Sequence, residues 1–243
     1  MIICHKYKFI FLKTRKTAGT SIEIALSKFC GADDIITPIL GADERKRQEL
    51  GYRGPQNYNI PLRFYQKSDW VNLLKKWEPK QFFNHAGASF IRAHIGEDIW
   101  QNYFKFCFER NPFDKAISRY YWSAREPRPA IGDYLDSLAT KFLSDWNLYT
   151  IDNQIVADFV GRYENLADDM AIVAKRLNLP GELSLTKAKG GYRKDRKHYS
   201  QVLDQQARDR IEQVCANEMA ALNYVWQSVS VEDMAASVSE QER

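Results

Sequence analysis

The run Lys13-Thr14-Arg15-Lys16-Thr17-Ala18-Gly19-Thr20-Ser21 lies where an apolar stretch, Phe9 to Leu12, hands over to a helical pattern carried by Ile22, Ala25, Leu26 and Phe29. At such a junction backbone N–H groups and the positive end of a helix dipole converge, and an anion can bind with little reorganisation. Small residues let the backbone close around it, Lys16 adds a mobile point charge, and Thr17, Thr20 and Ser21 add hydroxyl donors. The glycines of the pattern G-x-x-x-x-G-K-[ST] are absent before Lys16, so the cradle suits one phosphate or sulfonate better than a wrapped triphosphate. A capped helix after a loop with an exposed lysine accounts for the same residues.

A second run, Arg110-Asn111-Pro112 through Ser118 and Tyr120, sets an arginine at the end of a strand and a serine eight residues later. About two helical turns separate them, which brings them near one face. A guanidinium fork with a hydroxyl suits a separate phosphate. A salt-bridged structural arginine is the alternative.

At these residues the chain resembles the sulfotransferases that use 3′-phosphoadenosine 5′-phosphosulfate (PAPS). Lys16-Thr17-Ala18-Gly19-Thr20-Ser21 is similar to their 5′-phosphosulfate loop, and Arg110-Asn111-Pro112 through Ser118 and Tyr120 to their 3′-phosphate motif. His85, followed by Phe90-Ile91-Arg92 and Ile99-Trp100, resembles the branch of the heparan and dermatan 2-O-sulfotransferases and its small bacterial relatives. The similarity runs with gaps from Phe9 to about Trp226 and is absent from residues 35–66. Arg15 stands where that family commonly has proline; it leaves the loop less rigid or adds an anion contact.

The resemblance implies transfer of a sulfuryl group from PAPS to an acceptor hydroxyl, leaving adenosine 3′,5′-bisphosphate (PAP). In-line transfer needs charge stabilised on the leaving oxygen. Lys16 would supply it, while the N–H groups of Thr17, Ala18, Gly19, Thr20 and Ser21 hold the 5′-phosphate. Arg110 and Ser118 would hold the 3′-phosphate. No metal ion is implied. His85, in Asn84-His85-Ala86-Gly87, is the candidate general base because imidazole titrates near neutrality; Glu109 is the alternative base, or a structural partner of Arg110. The basic stretch Lys187 to His198 would form a lid over the 3′-phosphate, with Arg193, Lys194 and Arg196 foremost, although a solvated surface explains such a charge run as well.

Strands must position these groups at their ends and helices must cover the strands. Phe104, Phe106 and Phe108 alternate as a strand does, and Phe113, Ala116, Ile117 and Tyr120 recur as on a helix. Ser68 is a plausible cap for a helix carrying Trp70, Leu73, Leu74 and Trp77. Helices are expected over Ile131 to Leu143, Leu166 to Leu177 and a last long stretch through Ile211 and Leu222. Ile155 to Tyr163 offers a further strand, and residues 35–66 read as a surface excursion. The alternation implies an α/β fold of the P-loop kind, a central parallel sheet with helices on both faces, formed as one domain over residues 1–227 with a polar tail at 228–243.

Of the 243 residues, 44% are hydrophobic and 27% charged, enough for a sizeable core and against disorder throughout. A net charge of +4 is too mild for duplex nucleic acid. The four cysteines lack C-x-x-C spacing and suggest neither zinc nor a disulfide framework. No apolar run approaches the roughly 20 residues of a membrane span, and no secretory signal pattern opens the chain, so a cytoplasmic protein is expected. The acceptor would be a small molecule or glycan. Competing readings are a small-molecule P-loop kinase, and a noncatalytic module that binds nucleotide or RNA.

Overall fold

The computed structural model describes residues 1–181, 183, 185 and 197–228. The chain divides into two compact units, Met1–Glu109 with Asp145–Lys189, and Arg110–Ser144 with Gly190–Arg243.

The first unit is mixed α/β. Its strands are β1 (Ile2–Cys4), β2 (Phe9–Phe11), β3 (Ile35–Ile36), β4 (Phe104–Glu109), the small hairpin β5 (Thr150–Ile151) and β6 (Gln154–Ile155), and β7 (Phe159–Arg162). Its helices are α1 (Gly19–Ser27), α2 (Gly41–Glu49), α3 (Lys67–Lys76), α4 (Ala88–Ile95), α5 (Glu97–Asn102), α8 (Trp146–Tyr149) and α9 (Leu166–Arg176). The central sheet has the order β3-β1-β2-β4-β7. β2, β4 and β7 run parallel, with Phe11 opposite Phe106 and Phe108 opposite Gly161. β1 is antiparallel to both β2 and β3. This corrects the expected all-parallel sheet: β1 and β2 are joined by residues 5–8 alone, and a connection that short permits only an antiparallel pair.

Side-chain alternation assigns the two faces. Phe9, Phe11, Phe106 and Phe108 point to one side and pack with Ile22 and Leu26 of α1 and Met170 and Val173 of α9. Ile10, Leu12 and Cys107 point to the other, against Ile91 and Ile95 of α4 and Leu148 and Tyr149 of α8. All four phenylalanines are fully buried, and each such ring contributes roughly 1.5–3 kcal/mol of transfer free energy. Residues 35–66, expected as a surface excursion, send β3 to the sheet edge and bury Arg47 of α2 and Ile60. Ser68 lies inside α3 and does not cap it. There Asp69 Oδ2 reaches back to accept the Gln66 N–H at 3.0 Å.

The second unit is helical: α6 (Pro112–Ser123), α7 (Ile131–Ser137), α10 (Gln205–Val214) and α11 (Ala216–Leu222). Phe113, Ile117, Leu135, Tyr199 and Ile211 form its core, with the rings of Phe113 and Tyr199 stacked at 5.2 Å. The helix expected from Ile131 to Leu143 stops at Ser137, and the long last helix is broken at Cys215 into α10 and α11.

Candidate functional site

The loop between β2 and α1 is fastened from within the first unit. Leu12 N–H continues the ladder to the Phe106 carbonyl at 2.9 Å. The Thr14 hydroxyl donates to the Phe108 carbonyl and meets Thr17 Oγ1 at 2.9 Å, so the loop is tied to the end of β4. Lys16 and Ala18 are left-handed, with φ of 60° and 58°. Each carries a Cβ and holds that conformation against roughly 1–2 kcal/mol. The two left-handed residues give the loop the tight turn by which it passes from β2 into α1. Gly19 opens α1 where a side chain would be crowded: a Cβ there would meet Lys13 Cγ at 3.0 Å and the Thr14 carbonyl oxygen at 3.2 Å. Thr17 and Ser21 are buried, while Lys16 and Thr20 are half-buried.

Arg15 is held by Asp145, whose carboxylate accepts the Arg15 backbone N–H at 2.6 Å and pairs with its guanidinium at 2.5 Å. Asp145 is 1% exposed. The loop therefore has a second anchor just before α8, and no local spacing announces a partner 130 residues away.

Beneath the loop lies a buried polar cluster. Lys13 Nζ pairs with Glu23 of α1 at 2.5 Å and donates to Asn84 Oδ1 at 3.1 Å. Glu23 also faces the Met1 amine at 3.2 Å and Arg47 at 3.6 Å. Burial alone would raise the Glu23 carboxyl; the Met1 amine, Lys13 and Arg47 outweigh it and hold it below its ordinary value. Glu23 was not among the expected site residues, although one acid inside Ile22-Glu23-Ile24-Ala25-Leu26 is the signal of a buried charge with a dedicated partner.

His85 follows Asn84 and is itself left-handed, φ 58°. Its Nδ1 lies 2.9 Å from the Lys13 carbonyl oxygen. A carbonyl only accepts, so Nδ1 carries the proton and Nε2 of the neutral ring keeps its lone pair. Burial, with a smaller contribution from the charges of Lys13 and Arg15, lowers the imidazole to about 4. It is neutral at physiological pH with its Nε2 lone pair retained, and the same burial weakens it as a base, which corrects the expectation of a group titrating near neutrality. Gly87 allows this segment to approach α8: a Cβ on it would lie 2.8 Å from the Asn147 carbonyl oxygen.

The second motif, Arg110 to Tyr120, belongs to the other unit. Pro112 occupies the first turn of α6, and Asn111 Oδ1 caps the helix by accepting the Phe113 N–H at 3.0 Å. Arg110 immediately precedes this cap, and Ser118 lies half-buried on α6. The Tyr120 hydroxyl donates to the Pro129 carbonyl at 2.7 Å, which places that ring among structural groups. Arg193, Lys194 and Arg196 lie outside the described residues. Glu109, the alternative base, closes β4 at 1% exposure.

Among the described residues, one group of side chains brings ligand-type atoms together, Cys4, Cys30 and Asp34, all within 4.8 Å. The Asp34 oxygens are already filled by the N–H groups of His5 at 2.5 Å and Gly31 at 2.7 Å and by the Cys4 thiol at 3.0 Å. The group works as a hydrogen-bonded buckle beside β1. All four cysteines are buried free thiols.

An uncharacterized protein of Archaeoglobus fulgidus is 34% identical to this chain over 116 residues, covering 44% of the chain and 97% of the archaeal protein. The two belong to one family. No model of a described protein family matches the chain, and no solved structure matches it. Among the described residues no helix is long and apolar enough to cross a membrane.

Proposed function

We propose that the protein is a PAPS-dependent sulfotransferase with a P-loop-like cradle, moving the sulfuryl group to an acceptor hydroxyl of a carbohydrate or glycoconjugate. The observation that carries the reading is the hydrogen bond from His85 Nδ1 to the Lys13 carbonyl. It fixes the candidate base to the loop that bears Lys16, within one unit, in the tautomer that can take a proton.

In this reading the backbone from Thr17 to Ser21 holds the 5′-phosphate, with Lys16 against the bridging oxygen as the bond to sulfur breaks. Arg15, paired with Asp145, sets the curvature of the loop as its main task. His85 Nε2 removes the proton of the attacking hydroxyl. In the second unit Arg110 and Ser118 take the 3′-phosphate, which distinguishes the donor from nucleotides without one. Arg193, Lys194 and Arg196 supply further charge to that phosphate. PAP is the product, and no step calls for a metal ion.

The test is calorimetry followed by transfer. PAP should bind without Mg²⁺, and sulfur-labelled PAPS should pass its label to a component of a glycan or metabolite extract, identified by mass. ATP binding that requires Mg²⁺, with no PAP binding, would replace this reading with a kinase.

A further inference from the structure

Helix α3 turns its one acid inward and nearly every other residue outward. Asp69 is 3% exposed and accepts from Gln66 N–H at 3.0 Å, Lys80 Nζ at 3.0 Å and His94 Nε2 at 2.9 Å. His94, buried on α4, also bonds the Phe90 carbonyl at 2.8 Å. This carboxylate bolts the helix down, and Leu73 is the one other residue of α3 that is not exposed. The large apolar side chains face the other way: Trp70 is 43% exposed, Val71 49%, Leu74 73% and Trp77, at the helix end, 87%. At 100° per residue these four cover an arc of about 120°. A surface helix ordinarily buries that stripe and exposes its charges. Leu62 and Phe83, on the segments leading into and away from the helix, are exposed as well, so half of the large exposed apolar residues of the described chain fall between positions 62 and 83.

The charges beside the stripe are positive. Arg63, Lys67, Lys75, Lys76 and Lys80 stand in the same stretch with Glu78 as its exposed acid, since Asp69 is buried. Lys67 falls within the apolar arc and Lys75 borders it. Indoles stand near both ends, Trp70 braced by the Tyr65 ring at 5.4 Å. Tryptophan with aliphatic residues on one face, lysines long enough to reach outward within and beside it, and almost every helical residue open to the outside make up the arrangement that lies in a lipid interface.

We propose that α3 is a surface anchor for an anionic bilayer, with Trp70, Leu74 and Trp77 seated below the headgroups and Lys67 and Lys75 against their phosphates. The anchor is independent of the chemistry assigned to the loop at Lys16. It would hold the protein beside a lipid-borne partner without crossing the membrane.

Vesicle sedimentation of the whole chain tests this, using phosphatidylcholine with and without about 30% phosphatidylserine. Binding is expected to the anionic vesicles, weakening as salt rises. Leu74→Ser and Trp77→Ser should each reduce it about tenfold, and Lys67→Glu with Lys75→Glu should do likewise, since removing an apolar group or a contact charge lowers interfacial affinity in proportion. All these positions are exposed, and unchanged thermal melting would verify that the variants fold. Absence of binding by the parent, or equal binding by the Leu74 and Trp77 variants, overturns the anchor. A dimer that Leu74→Ser dissociates, without vesicle binding, would reassign the face to self-association and overturn it too.

Discussion

At the scale of single residues, His85 gives the sharpest expectations. Its folded value of about 4 lies below the 6.5 of a free imidazole. As pH falls the unfolded chain takes up the proton first, so stability present above pH 6.5 is lost progressively down to about pH 4. That loss amounts to roughly 3 kcal/mol. Urea melts across this window should record it, and His85→Gln should flatten the dependence. The rate profile follows the same logic: the acid limb from this base belongs near pH 4, and an inflection near 6.5 would show that the ring is not in this buried setting while it works. For Lys16→Ala we expect turnover to fall at least 100-fold, as for loss of a charge that acts on the leaving oxygen, with PAP affinity changed much less; kcat and calorimetric Kd separate the two. The strand-to-helix loop that carries the lysine and the hydroxyls was legible in the sequence because its pattern is local. Glu23 and Asp145 were not, since their roles arise from partners the fold supplies.

Elements decide how firmly those residues are held. Asp145→Ala removes both bonds to Arg15 and leaves a partly buried guanidinium, which should cost about 3 kcal/mol and weaken PAP binding, read by thermal unfolding and calorimetry. Gly87→Ala drives a methyl group against the Asn147 carbonyl. The strain should cost about 1–3 kcal/mol, lowering Tm by several degrees. The strands and helices that carry the site were readable because Phe104, Phe106 and Phe108 alternate and α6 keeps its apolar stripe. β1 and β3 were not, being three and two residues long, too short for any period to register. α3 was readable as a helix from its apolar spacing, whereas its outward mounting was not, because the buried aspartate that sets it finds its partners on other segments.

For the whole molecule, composition and the order of patterns gave the α/β class, while the direction of β1 depended on a short hairpin that periodicity does not encode. Arg110 begins the second unit, and its expected task concerns only the nucleotide's 3′-phosphate. Arg110→Ala should therefore weaken PAP by about 10- to 100-fold, the range for loss of a charge-assisted pair. Affinity for the 5′-monophosphate should stay the same. Competition between the two nucleotides measures this directly, and a parent protein that does not distinguish them would contradict the assignment.

The chain leaves the first unit after Glu109 and returns to it at Asp145, the residue that clamps Arg15. Relatives can thus lengthen or shorten the excursion between those points while the loop between β2 and α1 keeps the same buckle. Divergence is expected to gather after the Arg110-to-Ser118 stretch proposed for the donor, and it should stop abruptly at that aspartate.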